Sequence, residues 1–322
     1  MKKNNKAIQV REALDAIVFH HRDFKKCWRH IESCHASFGG NGEPECGLIM
    51  GDTGAGKTTL IRYYRAEYPP TPTDEVQIMP VLTGTIPTPA TMKNMATELL
   101  HQLGDPLADK GTLEARTRRL RTLLHKCRTE LIVLDEFQHF IDRSTERVIL
   151  DVSDWLKNLI TNTRIPVVLV GLKQSVRVLE ANEQLQRRFS GEVELHPFGV
   201  QSQTRTKELI GIINTIDERV GEVLGEKSDL SQYAEKITLA TKGRISEIMK
   251  LLSHAAQDAA RRGSNSITLT HLEATYRSKI RRVRPSENPF SASWQGSENS
   301  KGAGKSDAKQ PIKRNAKTIA AL

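Results

Sequence analysis

The chain of 322 residues is poor in the residues that would commit it to several other classes of protein. Its four cysteines, Cys27, Cys34, Cys46 and Cys127, do not make the disulfide framework of a small secreted domain and suit reduced thiols. Aromatic residues make up only 5%, and the longest apolar runs, Leu131–Leu134 and Ile165–Gly171, have the length of buried strands. Neither approaches the roughly 18–20 residues needed to span a bilayer. The basic start, Met1-Lys-Lys-Asn-Asn-Lys6, is not followed by the apolar segment of a signal peptide. A cytoplasmic protein with no membrane contact is therefore expected. Cys27, His30, Cys34 and His35 have metal-ligand chemistry, but no second Cys/His pair follows at the usual spacing. Phe24, Cys27, Ile31 and Cys34 share one helical face, so the preferred reading is a core helix with small buried thiols.

What the chain does have is positive charge, a net +10 that is unevenly placed. Residues 281–322 hold nine Lys/Arg against three Asp/Glu in a Ser-, Gly-, Pro- and Asn-rich context, which predicts a basic disordered tail over 284–322. A second basic cluster runs through Lys110, Arg116, Arg118, Arg119, Arg121, Lys126 and Arg128. Both are candidate polyanion contacts, and a solvated surface is the ordinary alternative for each.

Periodicity divides the chain. Residues 1–45 read as a helical extension that ends at Gly39-Gly40-Asn41-Gly42. Over 46–200 strands alternate with helices: a strand from Cys46, another at Gln77–Leu82, Leu131–Leu134, Pro166–Val170 and Gly191–Leu195, with helices at 87–103, 113–128 and 145–162. Such alternation predicts an α/β core with a parallel sheet covered on both faces. From 201 to 283 only helical patterns remain, the last opened by a capping box at Thr270-His-Leu-Glu273.

Within the α/β part, Gly51-Asp52-Thr53-Gly54-Ala55-Gly56-Lys57-Thr58 is a complete phosphate-binding loop, between a strand and the helix beginning near Lys57 and continuing through Thr59. The glycines allow backbone N–H groups to converge on phosphate oxygens, and the helix dipole favours the same anion. Lys57 supplies a charge to the outer phosphates, and the Thr58 hydroxyl supplies a ligand for Mg²⁺. Downstream, the apolar strand Leu131–Leu134 ends in Asp135 and Glu136. Asp135 is placed to hold Mg²⁺, and Glu136 to polarise an attacking water. These residues predict binding and hydrolysis of ATP.

The Asp-Glu pair, the five-stranded core and the trailing helical domain resemble the AAA+ ATPases. Gly171 after Val167–Val170, the run Asn182-Glu183-Gln184-Leu185-Gln186-Arg187-Arg188-Phe189, and Lys242-Gly243-Arg244 resemble the TniB/TnsC family, over roughly residues 10–280. The resemblance implies an AAA+ core with a smaller helical lid. Family members are ATP-dependent regulators of heteromeric bacterial transposons, CRISPR-associated or related. The resemblance implies assembly as rings or helical filaments on double-stranded DNA, with nucleotide between protomers, a link from a target-selection adaptor to transposase subunits, and hydrolysis controlling disassembly. It further implies that Arg187 or Arg188 is a finger reaching a neighbour's nucleotide, and that Arg244 contacts the nucleotide in cis; both fit the need for cations at a transferring phosphoryl group. Asp109-Lys110-Gly111-Thr112 and the helix after it resemble the DNA-lining part of such proteins, which makes Lys110, Thr112, Arg116 and Arg119 candidate backbone contacts.

One departure stands out. Gly171-Leu172-Lys173-Gln174-Ser175 lacks the polar sensor usual after the fourth strand; Leu172 cannot orient water, whereas Gln174 or Ser175 could. Slow hydrolysis, stimulated by DNA or a partner, is the consequence expected. The competing readings are a helicase loader or replication initiator, a ligand-gated signalling ATPase and an inactive scaffold; intact Lys57, Thr58, Asp135 and Glu136 argue against the last.

Overall fold

The structure, a computed structural model, describes residues 2–142, 145–199, 203–281 and 284–294, so most of the expected basic tail lies outside the described residues. The core opens with α2 (Arg22–Ala36), β1 (Cys46–Gly51) and α3 (Lys57–Ala66), after the N-terminal helix α1 (Lys2–Asp15). A two-stranded hairpin, β2 (Thr71–Pro72) and β3 (Gln77–Ile78), precedes β4 (Val81–Thr85), α4 (Met92–Gln102) and α5 (Leu113–Lys126). Then come β5 (Leu131–Asp135), α6 (Glu146–Thr163), β6 (Val167–Gly171), the short helices α7 (Arg177–Glu180) and α8 (Glu183–Gln186), and β7 (Phe189–Leu195). The lid contains α9 (Gln203–Leu224), α10 (Ala234–Thr241), α11 (Ile245–Arg262) and α12 (Leu269–Thr275).

Five strands form a parallel sheet in the order β4-β5-β6-β1-β7. Because side chains alternate along a strand, each strand feeds two cores. Leu82, Ile132, Leu134, Val167 and Leu169 pack under α4, α5 and α6, whereas Val81, Leu131, Val133, Val168 and Val170 pack beneath α2 and α3. Both faces are covered, which is why these strands read as continuous apolar runs. All strands point the same way, so the ends of β1, β5 and β6 and the loops after them share one edge.

The structure corrects several expectations. Gln77–Leu82 is not one strand: Pro80 has no N–H to give, and the chain breaks into β3 and β4 around it while Glu130 and Leu131 donate to the Pro80 carbonyl at 2.8 and 3.0 Å. The last lid helix is capped two residues earlier than expected, by Thr268 with His271 in the reciprocal position. Residues 1–45 do not act as one extension. On α1, Ala7, Val10 and Leu14 join the lid core against α9 and α11, whereas on α2 Phe24, Cys27, Ile31 and Cys34 are buried on the sheet. Burial pushes the thiols of Cys27 and Cys34 up to about 12, so they remain neutral packing groups.

The tail boundary expected at 284 also moves. Phe290 is fully buried in the lid core, edge-on to Tyr276 at 6.0 Å, and Asn288 donates to the Glu273 carbonyl at 3.1 Å. One aromatic anchor in a polar stretch carries no periodicity, so the pattern passed over it. Phe290→Ala is expected to cost roughly 3–5 kcal/mol. Denaturant unfolding would show this, and a loss below about 1 kcal/mol would mean that the segment is dispensable to the lid. No helix of the described residues is long and apolar enough to cross a membrane.

Candidate nucleotide site

At the shared edge, β1 turns into the loop that precedes α3. Gly54 and Gly56 adopt φ of +83° and +98°, the region that side chains resist. A Cβ on Gly54 would overlap the Ser246 side chain, and the Ser246 N–H donates to the Gly54 carbonyl at 3.1 Å. The lid is thus fastened directly to the loop. The Asp52 carbonyl accepts from Ala55 N–H at 3.0 Å and closes the turn, with Thr53 exposed at its tip.

Lys57, buried as the first residue of α3, donates Nζ–H to the carbonyls of Gly51 at 2.7 Å and Asp52 at 3.1 Å. Burial lowers its pKa, opposed by the negative charges of Glu136, Asp135 and Asp52. Thr58 donates Oγ1–H to Asp135 Oδ2 at 2.8 Å, although 77 positions separate them in sequence. Burial raises the Asp135 pKa, and the hydrogen bonds from Thr58 and from the Glu136 N–H, the latter at 2.8 Å, work in the opposite direction. The loop and the carboxylate strand therefore meet as the spacing predicts. Two hard oxygens in contact at the mouth of the loop form a donor set that fits Mg²⁺.

Glu136 sits at φ 57°, ψ 35°, a left-handed conformation uncommon for a residue with a side chain. The carboxylate of Glu136 meets Gln138, whose Nε2 donates to Glu136 Oε2. Gln138 is itself buried, and its Oε1 accepts from the Leu172 N–H at 3.1 Å. A buried amide thus ties the end of β6 to the Glu136 carboxylate. Its only trace in the sequence is its position two residues after Glu136. The residues considered as water-orienting sensors go elsewhere: Gln174 donates to Asp142 on the surface, and Ser175 is fully buried against Gly171.

A cleft of about 320 Å³ continues from the loop between α2 and the lid. Ile17, Val18, Phe19, His21 and Phe24 line one wall, Ile245 and Met249 the other, and Ala55, Gly56, Thr59 and Arg62 the floor. It is a mostly apolar slot opening beside the phosphate loop, the shape needed to receive a base. Periodicity did not mark these walls, because they come from segments more than 200 residues apart. Arg244, half-buried, is the N-cap residue of α11 and adjoins the loop at Gly54.

The two candidate finger arginines differ. Arg187 follows α8 with its side chain 74% exposed and paired with Glu183 at 2.5 Å. Arg188 is 12% exposed and held by Glu43 at 3.0 Å, while its carbonyl accepts from Cys46 N–H at 2.8 Å. The DNA candidates divide as well. Arg116 is buried, and its guanidinium donates to Gly111 O, Thr97 Oγ1 and Asp109 O. Arg119 pairs with Asp105 at 2.9 Å and donates to the carbonyls of Leu107 and Lys110. Both staple the loop from Asp105 to Gly111 and are corrected from contact residues to supports; Lys110 and the N-cap Thr112 remain exposed.

The fold is similar to that of solved ORC and Cdc6 proteins. The Aeropyrum pernix ORC2 protein in ADPNP–ADP complexes aligns with TM-score 0.56 and 17% identity, over 86% of this chain and 74% of that one. The A. pernix ORC1 protein in complex with DNA aligns at 0.55 and 19%, over 84% and 68%. Cdc6p from Pyrobaculum aerophilum gives 0.58 and 13%, over 80% and 67%. At these identities the likeness speaks for the AAA+ fold. Comparison of the sequence with curated proteins gives no match. The family model of the bacterial TniB protein matches residues 17–198, more than half of the chain, from the base-side wall of the cleft through the last strand. A chain with this match, this fold and a phosphate loop joined to the carboxylate strand through Thr58 and Asp135 belongs to the TniB family and is an AAA+ ATPase.

Proposed function

We propose that this protein regulates DNA transposition by assembling, with ATP bound, on double-stranded target DNA, where it links a target-selection adaptor to transposase subunits. The observation that carries this reading is the placing of Arg187. It stands beside the start of β7, paired in register with Cys46 at the start of β1, whereas the phosphate loop follows the end of β1. Five residue steps of strand separate the two ends, roughly 16 Å. An exposed cation on the far edge of the sheet serves a neighbour's phosphates more readily than its own, so a closed site needs a second protomer. Arg188, largely buried and paired with Glu43, is assigned to structure and Arg187 to the finger.

In this scheme Lys57, the loop amides and Arg244 bind the phosphates, and the cleft beside Ala55 takes the base. Thr58 and Asp135 hold Mg²⁺, which when bound neutralises charge on the outer phosphates. Glu136, oriented by Gln138, accepts a proton from the attacking water. The stapled loop presents Lys110 and Thr112 to the DNA backbone without reading sequence. Hydrolysis, slow without a stimulating partner, returns the assembly to protomers.

Electron microscopy of the protein with duplex DNA is the test, comparing no nucleotide, ADP and a slowly hydrolysed ATP analogue. Rings or filaments are expected only with DNA and the analogue. Arg187→Ala is expected to abolish them and to lower kcat about 10³-fold with nucleotide binding retained, as for a finger supplied in trans. Monomers in every condition, with the site occupied, would reject assembly on DNA.

A further inference from the structure

The edge of the sheet that carries the nucleotide site also carries a chain of charged side chains with no part in the chemistry above. Met50 is in register with Gly171 on one side and Glu194 on the other, so the loop after β6 and the end of β7 flank the strand that opens the phosphate loop. Lys173, two residues beyond β6 and 65% exposed, holds its Nζ 2.8 Å from Glu194 Oε1. The other oxygen of Glu194 is 3.3 Å from His196 Nε2. On its far side, His196 reaches Asp23 Oδ2 with Nδ1 at 2.9 Å and with its backbone N–H at 3.2 Å. Arg205 of α9 approaches the same carboxylate oxygen at 3.4 Å and donates to the Pro197 carbonyl at 3.2 Å.

The two ends of this chain give it meaning. One end lies at the strand end where a sensor is expected. Leu172 brings no polar group, Gln174 is turned to Asp142 and Ser175 is buried, so Lys173 is the exposed polar group here on the side of the phosphate loop. Glu194 first, and Asp52 of the loop after it, raise its pKa, so it is a full cation at neutral pH. The other end lies where core becomes lid. His196 and Pro197 lead into Phe198, which is buried in the lid core and whose N–H donates to the Gly243 carbonyl at 2.8 Å, beside Arg244.

We propose that Lys173 reads the terminal phosphate of the bound nucleotide, and that the Lys173–Glu194–His196–Asp23 chain passes its position to the junction of core and lid. The inference rests on the ATPase reading of this site. A triphosphate offers the flexible Lys173 ammonium a multiply charged partner in place of Glu194; a diphosphate ends one phosphate short. Once Lys173 leaves, Glu194 is paired with His196 alone. The clamp of His196 and Arg205 on Asp23 then shifts, and with it the segment that seats Phe198 on the lid. Nucleotide state thereby reaches the lid by a route separate from the contact between Ser246 and Gly54.

The test uses the full chain, titrated with ADP and with a slowly hydrolysed ATP analogue, and hydrogen exchange at the amides of His196 and Phe198. The wild type is expected to prefer the analogue by roughly 5- to 100-fold, the range of ordinary coupling between sites, and to exchange differently with the two nucleotides. Lys173→Ala should bind both alike and lose the difference, and Lys173→Arg should restore each. Glu194→Gln should keep the preference and lose the difference at the junction, which a merely structural Lys173–Glu194 pair would not produce. A Lys173→Ala protein that still discriminates and still responds overturns this inference alone. A wild type that binds neither nucleotide overturns the ATPase reading with it.

Discussion

Glu136→Gln is expected to lower kcat for ATP hydrolysis by about 10²–10³-fold while KM stays within about threefold, the pattern of a group that acts only in the transition state. The substitution keeps shape and removes basicity. Gln138 donates to Glu136 Oε2 and is anchored through Oε1 by the Leu172 N–H; the amide oxygen of the substituted side chain can accept the same bond, so the turn at φ 57° need not move. Asp135 keeps the Thr58 hydroxyl and the backbone N–H of the next residue as partners, so the cation-binding oxygens are undisturbed. ATP should still bind and drive assembly, and the assemblies should outlast those of the wild type because turnover no longer releases them. Steady-state kinetics with a nucleotide-binding titration would settle the point. A kcat within threefold of the wild type would place the base elsewhere. Gln138→Leu gives a second measure: the carboxylate remains but loses its tether, so kcat should fall by less than in Glu136→Gln.

The catalytic half of the site could be read from sequence because its spacing is dictated by local geometry. A phosphate loop needs glycines at fixed offsets between a strand and a helix, and a carboxylate at the end of a buried strand is positioned by the strand itself. The rest depends on contacts between distant segments. The base cleft joins residues near Phe19 to residues near Met249, and neither wall has a pattern of its own. Charge was legible in amount but not in use. Arg116, Arg118 and Arg119 look alike as letters, yet one guanidinium is buried on carbonyls, one is exposed and one closes the loop at Asp105. Arg187 and Arg188 are neighbours in the short link between the end of α8 and the start of β7, and only one side chain turns toward Glu43. Likewise α1 reads as an appendage until its apolar face is seen to complete the lid core. Helical periodicity reports that a face is buried, but not against what.

Gly243→Ala is expected to be the most damaging single-methyl change outside the phosphate loop. Gly243 has φ +67°, and a Cβ there would overlap the carbonyl oxygen of Phe198, with the Phe198 backbone carbon and nitrogen close behind. These are main-chain atoms and cannot turn aside as a side chain would. Phe198 also donates its N–H to the Gly243 carbonyl at 2.8 Å, so the two backbones are bonded where the methyl would intrude. The left-handed conformation costs about 1 kcal/mol for alanine, and overpacking typically adds about 1–3 kcal/mol, so a loss of roughly 2–4 kcal/mol is expected. At about 2–4 °C per kcal/mol for a domain of this size, the melting temperature should fall by roughly 4–16 °C. Nucleotide affinity should fall in parallel, because the segment that begins at Gly243 carries Arg244, which adjoins the loop, and Ser246, which is bonded to Gly54. Gly199→Ala is the matched control: it lies one residue beyond Phe198 with nothing within 4 Å of an added Cβ. If Gly243→Ala melts and binds nucleotide like that control, the close approach of Gly243 to Phe198 does not hold the lid on the site.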